Sequence, residues 1–277
     1  MKEIAKKLIR LSLPFVVRKR MAVWLNSQKW IDTARRNWWS CELIKDLLEK
    51  DINMYHKFLW SNHMGYASPY EVTSKFGVEN MEMSRKIFFS ELREWLIERN
   101  INPEHDIKSV FEVGCSLGYQ LRYMETELFT SATQLKGIDI DEYAIRSGSD
   151  YLERIMSKIR LKRADMEDID SIMEGEIYDI IICSGVLMYL EEKAASRVVE
   201  IMLKHTNIML AFTGLAHPDI DNSQIKYSVP RASDRSFIHN IDSMVEKAGG
   251  IVCGRRWEGK NIVGSHTIYF VFSIKDH

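Results

Sequence analysis

The chain has 277 residues, of which 45% are hydrophobic and 28% are charged, and its formal net charge at pH 7 is −1. This length can bury one sizeable core together with an appendage. No run of eighteen apolar residues occurs, which argues against a membrane-spanning helix. The cysteines lie far apart and form no C-x-x-C pair, so we expect small buried side chains in a reducing compartment and no metal site. They are Cys41, Cys115, Cys183 and Cys253.

The N-terminus is basic and the rest of the chain is acidic. Residues 1–36 contain ten Lys or Arg against two acidic residues, a net charge of +8, which leaves −9 for the remainder. Apolar residues are interleaved with these cations, and Trp24 and Trp30 follow them. Such a segment suits an anionic membrane surface; the alternative is a solvated helix whose apolar side packs on the body. Both fit a cytoplasmic protein, and the first adds peripheral attachment to a membrane.

Two other roles for the basic segment are less well supported. Arg10 and Pro14 interrupt its apolar stretch, and no small-residue cleavage pattern follows, so a signal peptide is not expected. The basic block is short and the remaining charge is negative, so nucleic acid is not an expected partner.

Residues 37–104 have a helical pattern of apolar residues, with Leu43 and Leu47 in one helix and Leu92 and Leu96 in another. Between these helices lies the polar and aromatic stretch 60–70, which contains His63, Tyr66 and Tyr70. Its composition suits a lid over a ligand, although a buried connection filled by aromatic rings is the alternative.

From residue 109 onward strands and helices alternate, which predicts an α/β fold with a doubly wound sheet. The expected helices lie near residues 118–127, 142–156, 192–206 and 239–248. The expected strands lie near residues 109–114, 134–140, 159–163, 179–184, 208–214, 251–257 and 267–274. The polar stretch 217–238 is predicted to be a long loop, which is usually functional or mobile.

The first of these strands runs into a glycine-containing turn. Glu112 is followed by Gly114, Ser116 and Gly118, and Asp139 closes the next strand. Glycines let the backbone turn sharply near a ligand, and a carboxylate at that place can accept hydrogen bonds from two ribose hydroxyls. The spacing therefore predicts a nucleotide-like cofactor site. The dinucleotide pattern G-x-G-x-x-G fails, because Ser116 replaces its middle glycine and Tyr119 its third.

The same turn also matches G-x-S-x-G, which would make Ser116 the nucleophile of an α/β hydrolase. Such an elbow should follow several earlier strands, whereas residues 1–108 show almost no alternating pattern. The hydrolase is therefore kept as an alternative.

The pattern E-x-G-x-(G/S)-x-G, with an acid after the second strand, resembles the class I S-adenosylmethionine-dependent methyltransferases. Residues 159–166 and 178–190 resemble the third and fourth strands of that family, and the resemblance covers about residues 105–275. It implies a seven-stranded Rossmann-like sheet with an antiparallel seventh strand and an N-terminal helical extension. The resulting division is a basic segment (1–36), a helical lid (37–104) and the methyltransferase domain (105–277). Ser116 departs from the family's usual glycine, and its β-carbon makes positive φ costly.

The resemblance implies S-adenosyl-L-methionine as cofactor and assigns its contacts residue by residue. The turn would border the methionyl part, Glu112 would orient the amino group and Asp139 would hold the ribose. Asp165 and Met166 would contact the adenine, and Cys183 and Ser184 would lie under the sulfonium. Glu112 and Asp165 can alternatively be helix caps or ion-pair partners.

The acceptor side is less constrained. Methyl transfer gains from alignment and from removal of the acceptor's proton, so we expect a histidine base among His217, His239 and His63, with His217 first. Tyr227 and Arg231, like the two tyrosines of the lid, are candidates to bind the acceptor. No Asn-Pro-Pro-Tyr motif for amines follows the fourth strand. We therefore expect O-methylation of a polar acceptor, a small metabolite or a saccharide, the latter lipid-linked at a membrane; a non-catalytic cofactor-binding adapter is the other alternative.

Overall fold

The computed structural model describes residues 12–28, 30–65, 72–263 and 266–276, without the side chains of residues 33, 34, 260–263 and 266. The chain divides into two compact units. The first contains residues 1–71 and 141–143, and the second contains residues 72–140 and 144–277.

The described part of the first unit is helical. Its helices surround a small apolar core that includes Ala22, Ile44 and Leu59. Asp32 and Asp51 cap two of them by accepting hydrogen bonds from backbone amides, as N-cap carboxylates do. The helices are α1 (Phe15–Ser27), α2 (Thr33–Leu43), α3 (Lys45–Lys50) and α4 (Ile52–Ser61).

The second unit begins with helices and continues as an α/β sheet. Its helices are α5 (Val72–Lys75), α6 (Met83–Glu98), α7 (Tyr119–Tyr123), α8 (Glu142–Arg154), α9 (Ile169–Met173), α10 (Glu192–Lys204) and α11 (Ile241–Lys247). Its strands are β1 (Ser109–Val113), β2 (Gln134–Asp139), β3 (Arg160–Arg163), β4 (Tyr178–Ser184), β5 (Thr206–Thr213), β6 (Val229–Pro230), β7 (Phe237–Ile238), β8 (Gly250–Val263) and β9 (His266–Lys275).

Seven strands form one sheet in the order β3-β2-β1-β4-β5-β9-β8. The first five are parallel, and β9 inserts antiparallel between β5 and β8. This confirms the predicted seven-stranded Rossmann-like sheet. Its register aligns Val113 with Ile138 and with Cys183, and Ser184 with Thr213. The residues that follow these positions therefore meet at one edge, the carboxyl edge of the sheet.

Apolar cores cover both faces of the sheet, as parallel sheets require. Helix α6 packs against one face through Phe88, Phe89, Leu92 and Leu96, all at most 1% exposed. The compact unit therefore begins at residue 72, although the sequence pattern groups α6 with the lid. The predicted boundaries at residues 36 and 104 stay predictions.

Residues 217–238, expected to be one long loop, contain a short antiparallel hairpin formed by β6 and β7. Strands of two residues are too short to show an alternating pattern, which explains why the sequence did not predict them. Among the residues that the structure describes, no helix has both the length and the apolar composition needed to cross a bilayer.

Candidate functional site

The turn after β1 brings the backbone close to the neighbouring strands. Gly114 has a φ of 75°, and a β-carbon there would lie 2.3 Å from the side chain of Val186. The amides of Gly114 and Cys115 both donate to the carbonyl of Ile138, at 2.8 and 2.9 Å. Gly118, with a φ of 82°, then starts α7. Only glycine adopts these angles without strain, so the sequence folds here into a tight turn at the carboxyl edge.

Ser116 lies within this turn at a φ of 51°, in the left-handed region that a residue with a β-carbon adopts at a cost. Its amide donates a hydrogen bond of 2.8 Å to the carboxylate of Asp139. The two residues that the motif singled out are therefore adjacent in the fold, and this contact helps to hold Ser116 in its strained conformation.

Glu112, on β1, is fully buried beside the turn. The amide of Gln120 donates to its Oε1 at 2.8 Å, whereas its buried Oε2 has no hydrogen-bond partner. Burial raises the pKa of Glu112 to about 8; the charge of Arg85 opposes this shift and that of Asp139 adds to it. An unsatisfied buried oxygen is costly, and a ligand's ammonium group would satisfy it.

Arg85, on α6, is a site residue that the sequence analysis missed. Its Nη1 donates to Ser184 Oγ at 2.8 Å, and Ser184 Oγ lies 3.0 Å from Thr213 Oγ1. The guanidinium also lies over the ring of Tyr119 at 5.7 Å. A signal was present, because Arg85 precedes Phe88, Phe89 and Leu92 at helical spacing and so places a cation on a buried stripe.

Asp165 and Cys183, two of the predicted cofactor contacts, have different surroundings in the structure. Asp165 accepts a hydrogen bond from the amide of Glu167 at 3.1 Å and caps the short 3₁₀ turn that starts at Met166. Asp165, after the end of β3, therefore caps this turn through Oδ1, and its contact with the adenine stays a prediction. Cys183 is fully buried in the core on the face opposite to Glu112, and its expected place under the sulfonium stays a prediction.

His239 is buried among structural contacts, and its expected role as a base stays a prediction. It is 3% exposed, its Nδ1 lies 2.7 Å from Ser228 Oγ and its Nε2 lies 3.0 Å from the carbonyl of Leu187. Because a carbonyl only accepts, Nε2 donates and Nδ1 accepts. Burial lowers the pKa of His239, which keeps this imidazole neutral. Both ring nitrogens are occupied, and the contacts tie the hairpin region to the loop after β4.

The ring of His217 also has local partners. Its Nδ1 accepts hydrogen bonds of 3.2 Å from the amides of Asp219 and Ile220. These contacts hold the ring in the loop after β5, and the role of His217 as the base stays a prediction. His63, with a φ of 55°, belongs to the first unit, and its role stays a prediction.

The candidate acceptor-binding residues have different surroundings. Tyr227 is 67% exposed on the stretch before β6. Arg231 is paired with Asp234 in the hairpin loop, and despite burial the hydrogen bonds from Arg231 and Ser236 lower the pKa of Asp234 to about 2. Tyr66 and Tyr70 lie outside the described residues. No group of three or more potential metal ligands occurs within the described ranges.

Part of the chain matches a known family of domains, and its fold resembles solved structures. Residues 110–207 match the family model of a methyltransferase domain. A search of curated protein sequences gives no match. The crystal structure of magnesium protoporphyrin IX methyltransferase from Synechocystis PCC 6803, with bound S-adenosylmethionine, has a TM-score of 0.51 at 13% identity and covers 89% of this chain and 98% of its own.

Two further structures give similar values. An S-adenosylmethionine-dependent methyltransferase from Clostridium acetobutylicum ATCC 824 has a TM-score of 0.51 at 10% identity and covers 69% of this chain and 92% of its own. N-methyltransferase NodS from Bradyrhizobium japonicum WM9, in complex with S-adenosyl-L-homocysteine, has a TM-score of 0.50 at 15% identity and covers 74% of this chain and 97% of its own. At these identities the likeness shows the fold.

The family match and the sheet identify residues 110–207 as a methyltransferase domain on a Rossmann-like sheet. S-adenosylmethionine, which is bound in the solved structure from Synechocystis PCC 6803, is the cofactor that the resemblance implies for this domain. The residues present fit this cofactor, because Glu112 has an unsatisfied buried oxygen and Asp139 stands at the end of β2. Ser116 is accordingly a turn residue of this domain, and in the described ranges no strand precedes β1, as a hydrolase elbow would require.

Proposed function

We propose that the chain transfers a methyl group from S-adenosylmethionine to an oxygen atom of a small polar acceptor, such as a metabolite or a saccharide. When bound, the cofactor supplies an electrophilic methyl group on a sulfonium. The observation that carries the proposal is the pair of an acid and a base at the carboxyl edge, the buried carboxyl group of Glu112 and the half-buried guanidinium of Arg85.

These two side chains are complementary to the amino-acid part of the cofactor, which carries an ammonium and a carboxylate. Glu112 Oε2 is available to accept from the ammonium, because only Oε1 is occupied by Gln120. Arg85 engages Ser184 through Nη1, and its buried Nε makes no hydrogen bond, although it lies 3.7 Å from Glu82 Oε2 in an ion pair. A guanidinium with spare donors suits a carboxylate. Asp139 accepts from the ribose hydroxyls, so three side chains at fixed positions orient the cofactor.

The surroundings of His217 and His239, the two candidate bases in the second unit, are relevant to the identity of the acceptor. His239 uses both ring nitrogens and His217 uses Nδ1 in structural hydrogen bonds. Alignment of the reacting atoms then accounts for catalysis by this unit, since the accepting nitrogen of each ring is engaged in hydrogen bonds. This favours an acceptor oxygen that is already ionised at neutral pH, such as that of a carboxylate or an acidic hydroxyl. The absence of an Asn-Pro-Pro-Tyr sequence after β4, where Ser184 to Leu187 stand, supports oxygen over an exocyclic amine.

Calorimetric titration with S-adenosylmethionine and S-adenosylhomocysteine tests the cofactor assignment. We expect Asp139→Asn and Arg85→Met each to weaken binding by about 10–100-fold, since a hydrogen bond to a charged group contributes about 1.5–3 kcal/mol. The matched control is Asp150→Asn, which removes an exposed carboxylate of α8 and should bind like the wild type. Wild-type affinity in both site variants would contradict the assignment.

A second measurement tests the acceptor class. The protein is incubated with labelled cofactor and with sets of carboxylic acids, hydroxyl compounds and amines, and the products are analysed for transferred label. Label on oxygen in a carboxylate or acidic hydroxyl is the expected result, whereas label on amines alone would refute O-methylation.

A further inference from the structure

Helix α1 has its apolar residues on the outside. Successive residues of an α-helix are about 100° apart, so Val16, Val17, Met21, Val23 and Trp24 fall within one continuous face. Every one of these side chains is at least 38% exposed, and Val16 and Trp24 reach 59% and 60%. In an ordinary surface helix such a stripe faces the core.

The opposite face of α1 carries polar side chains into the first unit. Arg18 is 4% exposed, donates to the carbonyl of Leu43 at 2.8 Å and pairs with both carboxylate oxygens of Asp46, at 2.6 and 2.8 Å. Asn26, one helical turn beyond Ala22, donates to the carbonyl of Asn62 at 3.3 Å. These contacts fix the rotation of the helix about its own axis. The buried charge of Arg18 therefore keeps the apolar stripe on the outer side of the helix.

The charges around the stripe indicate which kind of partner would bind this face of α1. Arg20 lies on the exposed face, and Lys19 lies beside it over the ring of Phe15 at 5.2 Å. No Asp or Glu occurs between Glu3 and Asp32, whereas seven Lys or Arg do. Two copies of this face would bring like charges together, which disfavours self-association. Apolar side chains, tryptophan and a cation on a long stem instead suit the boundary between anionic headgroups and acyl chains.

We propose that the outward face of α1 docks the protein on an anionic lipid surface, with Val16, Val17 and Trp24 entering the headgroup boundary and Arg20 binding lipid phosphate or carboxylate groups. The helix lies in the plane of the surface. This inference goes beyond methyl transfer and does not depend on the identity of the acceptor.

Sedimentation of the full chain with vesicles tests the proposal. The vesicles contain phosphatidylcholine, with or without phosphatidylserine, at low and at high salt. We expect binding to the anionic vesicles that falls at high salt, because charges near such a surface are screened within about 10 Å at 0.1 M salt and about 3 Å at 1 M salt. The double variant Val17→Asp, Trp24→Asp should lose binding by about tenfold or more, since both side chains lie on the docking face.

The matched control is the double variant Met156→Asp, Ile177→Asp, which adds the same two charges at apolar residues of the second unit that are 90% and 51% exposed and should bind vesicles like the wild type. Unchanged affinity for S-adenosylhomocysteine and an unchanged circular dichroism spectrum show that the α1 double variant is folded. Equal sedimentation of the wild type and the α1 double variant would overturn the proposal. So would self-association of the wild type that the α1 double variant abolishes in the absence of vesicle binding, because the face would then be an interface between two copies.

Discussion

Glu112 is a buried acid whose ionisation depends on its surroundings. Its carboxyl group, which ordinarily ionises near pH 4.5, is held inside β1, where the side chain of Gln120 and the backbone of Leu121 donate to it. Burial disfavours the charged form, and the guanidinium of Arg85 offsets only part of that cost. Without cofactor the side chain therefore keeps its proton at neutral pH, and an ammonium placed against Oε2 would favour the ionised form.

We predict that the second unit loses stability as the pH rises from 6 to 8, and that Glu112→Gln removes this loss. The pKa of Glu112 is raised in the folded state to about 8, so between pH 4.5 and 8 the unfolded chain has released a proton that the folded chain retains. The free energy of unfolding then falls by about 1.4 kcal/mol per pH unit in this window and is level above it.

Urea unfolding of the cofactor-free protein, followed by circular dichroism at pH 6, 7 and 8, measures this slope. The control is Glu127→Gln, at an exposed residue of the same unit, which should retain the wild-type slope. If Glu112→Gln and the wild type lose stability equally, Glu112 is ionised in the free protein.

At this scale the sequence predicted the residues whose roles depend on a backbone motif. Glu112, Ser116 and Asp139 were found because a strand, a turn and a second strand fix their positions. Arg85 was missed because its place depends on how α6 packs on the sheet, which one sequence does not specify. The side chain of Cys183 faces the opposite core because alternation along β4 sets its direction.

At the scale of elements, the hairpin of β6 and β7 depends on His239 for its attachment. The imidazole links Ser228, just before β6, to the carbonyl of Leu187 in the loop after β4. The backbone amide of Ser228 also donates to Glu192 at the start of α10, at 2.7 Å. Residues 217–238 therefore have fixed anchors, where the composition alone predicted only a long polar loop.

We predict that His239→Ala lowers the free energy of unfolding by about 2–3 kcal/mol at pH 7 while cofactor affinity is retained, because it leaves a cavity and the buried Leu187 carbonyl without a donor. Burial lowers the pKa of His239 below 6.5, so the stabilisation is complete above pH 6.5 and is lost as the pH falls. The wild type should therefore lose more stability than the variant between pH 7 and 5.5.

The measurement is urea unfolding at both pH values, with His105→Ala at an exposed histidine as the control. A variant that unfolds like the wild type would show that His239 does not anchor the hairpin. Normal stability together with lost turnover would support the hypothesis that His239 is the general base.

At the scale of the whole molecule, the order of elements was the most predictable feature. Six of the seven main strands were predicted within two residues at each end, whereas β8 runs six residues beyond the predicted end at residue 257. Buried strands such as β4 are continuous apolar runs bounded by turns, which makes them easy to locate. The extent of the compact units was less predictable, since helical spacing in α6 shows an apolar stripe without showing which core receives it. The outward direction of the apolar stripe of α1 was also not predictable, because it depends on the pairing of Arg18 with Asp46.

The division into units leads to a prediction about a fragment. Residues 72–277 contain both cores of the sheet and all of the proposed cofactor contacts, namely Arg85, Glu112, the turn, Asp139 and Asp165. A unit with its own core can fold alone. We therefore expect the fragment to unfold cooperatively and to bind S-adenosylhomocysteine within about threefold of the full chain, a difference below 1 kcal/mol.

Calorimetry measures the affinity, and the same fragment with Asp139→Asn is the control that should bind much more weakly. Because the fragment lacks α1, it should also fail to sediment with anionic vesicles. A fragment that folds but does not bind the cofactor would show that the first unit supplies an essential contact, and the assignment of the site to the second unit would then be incomplete.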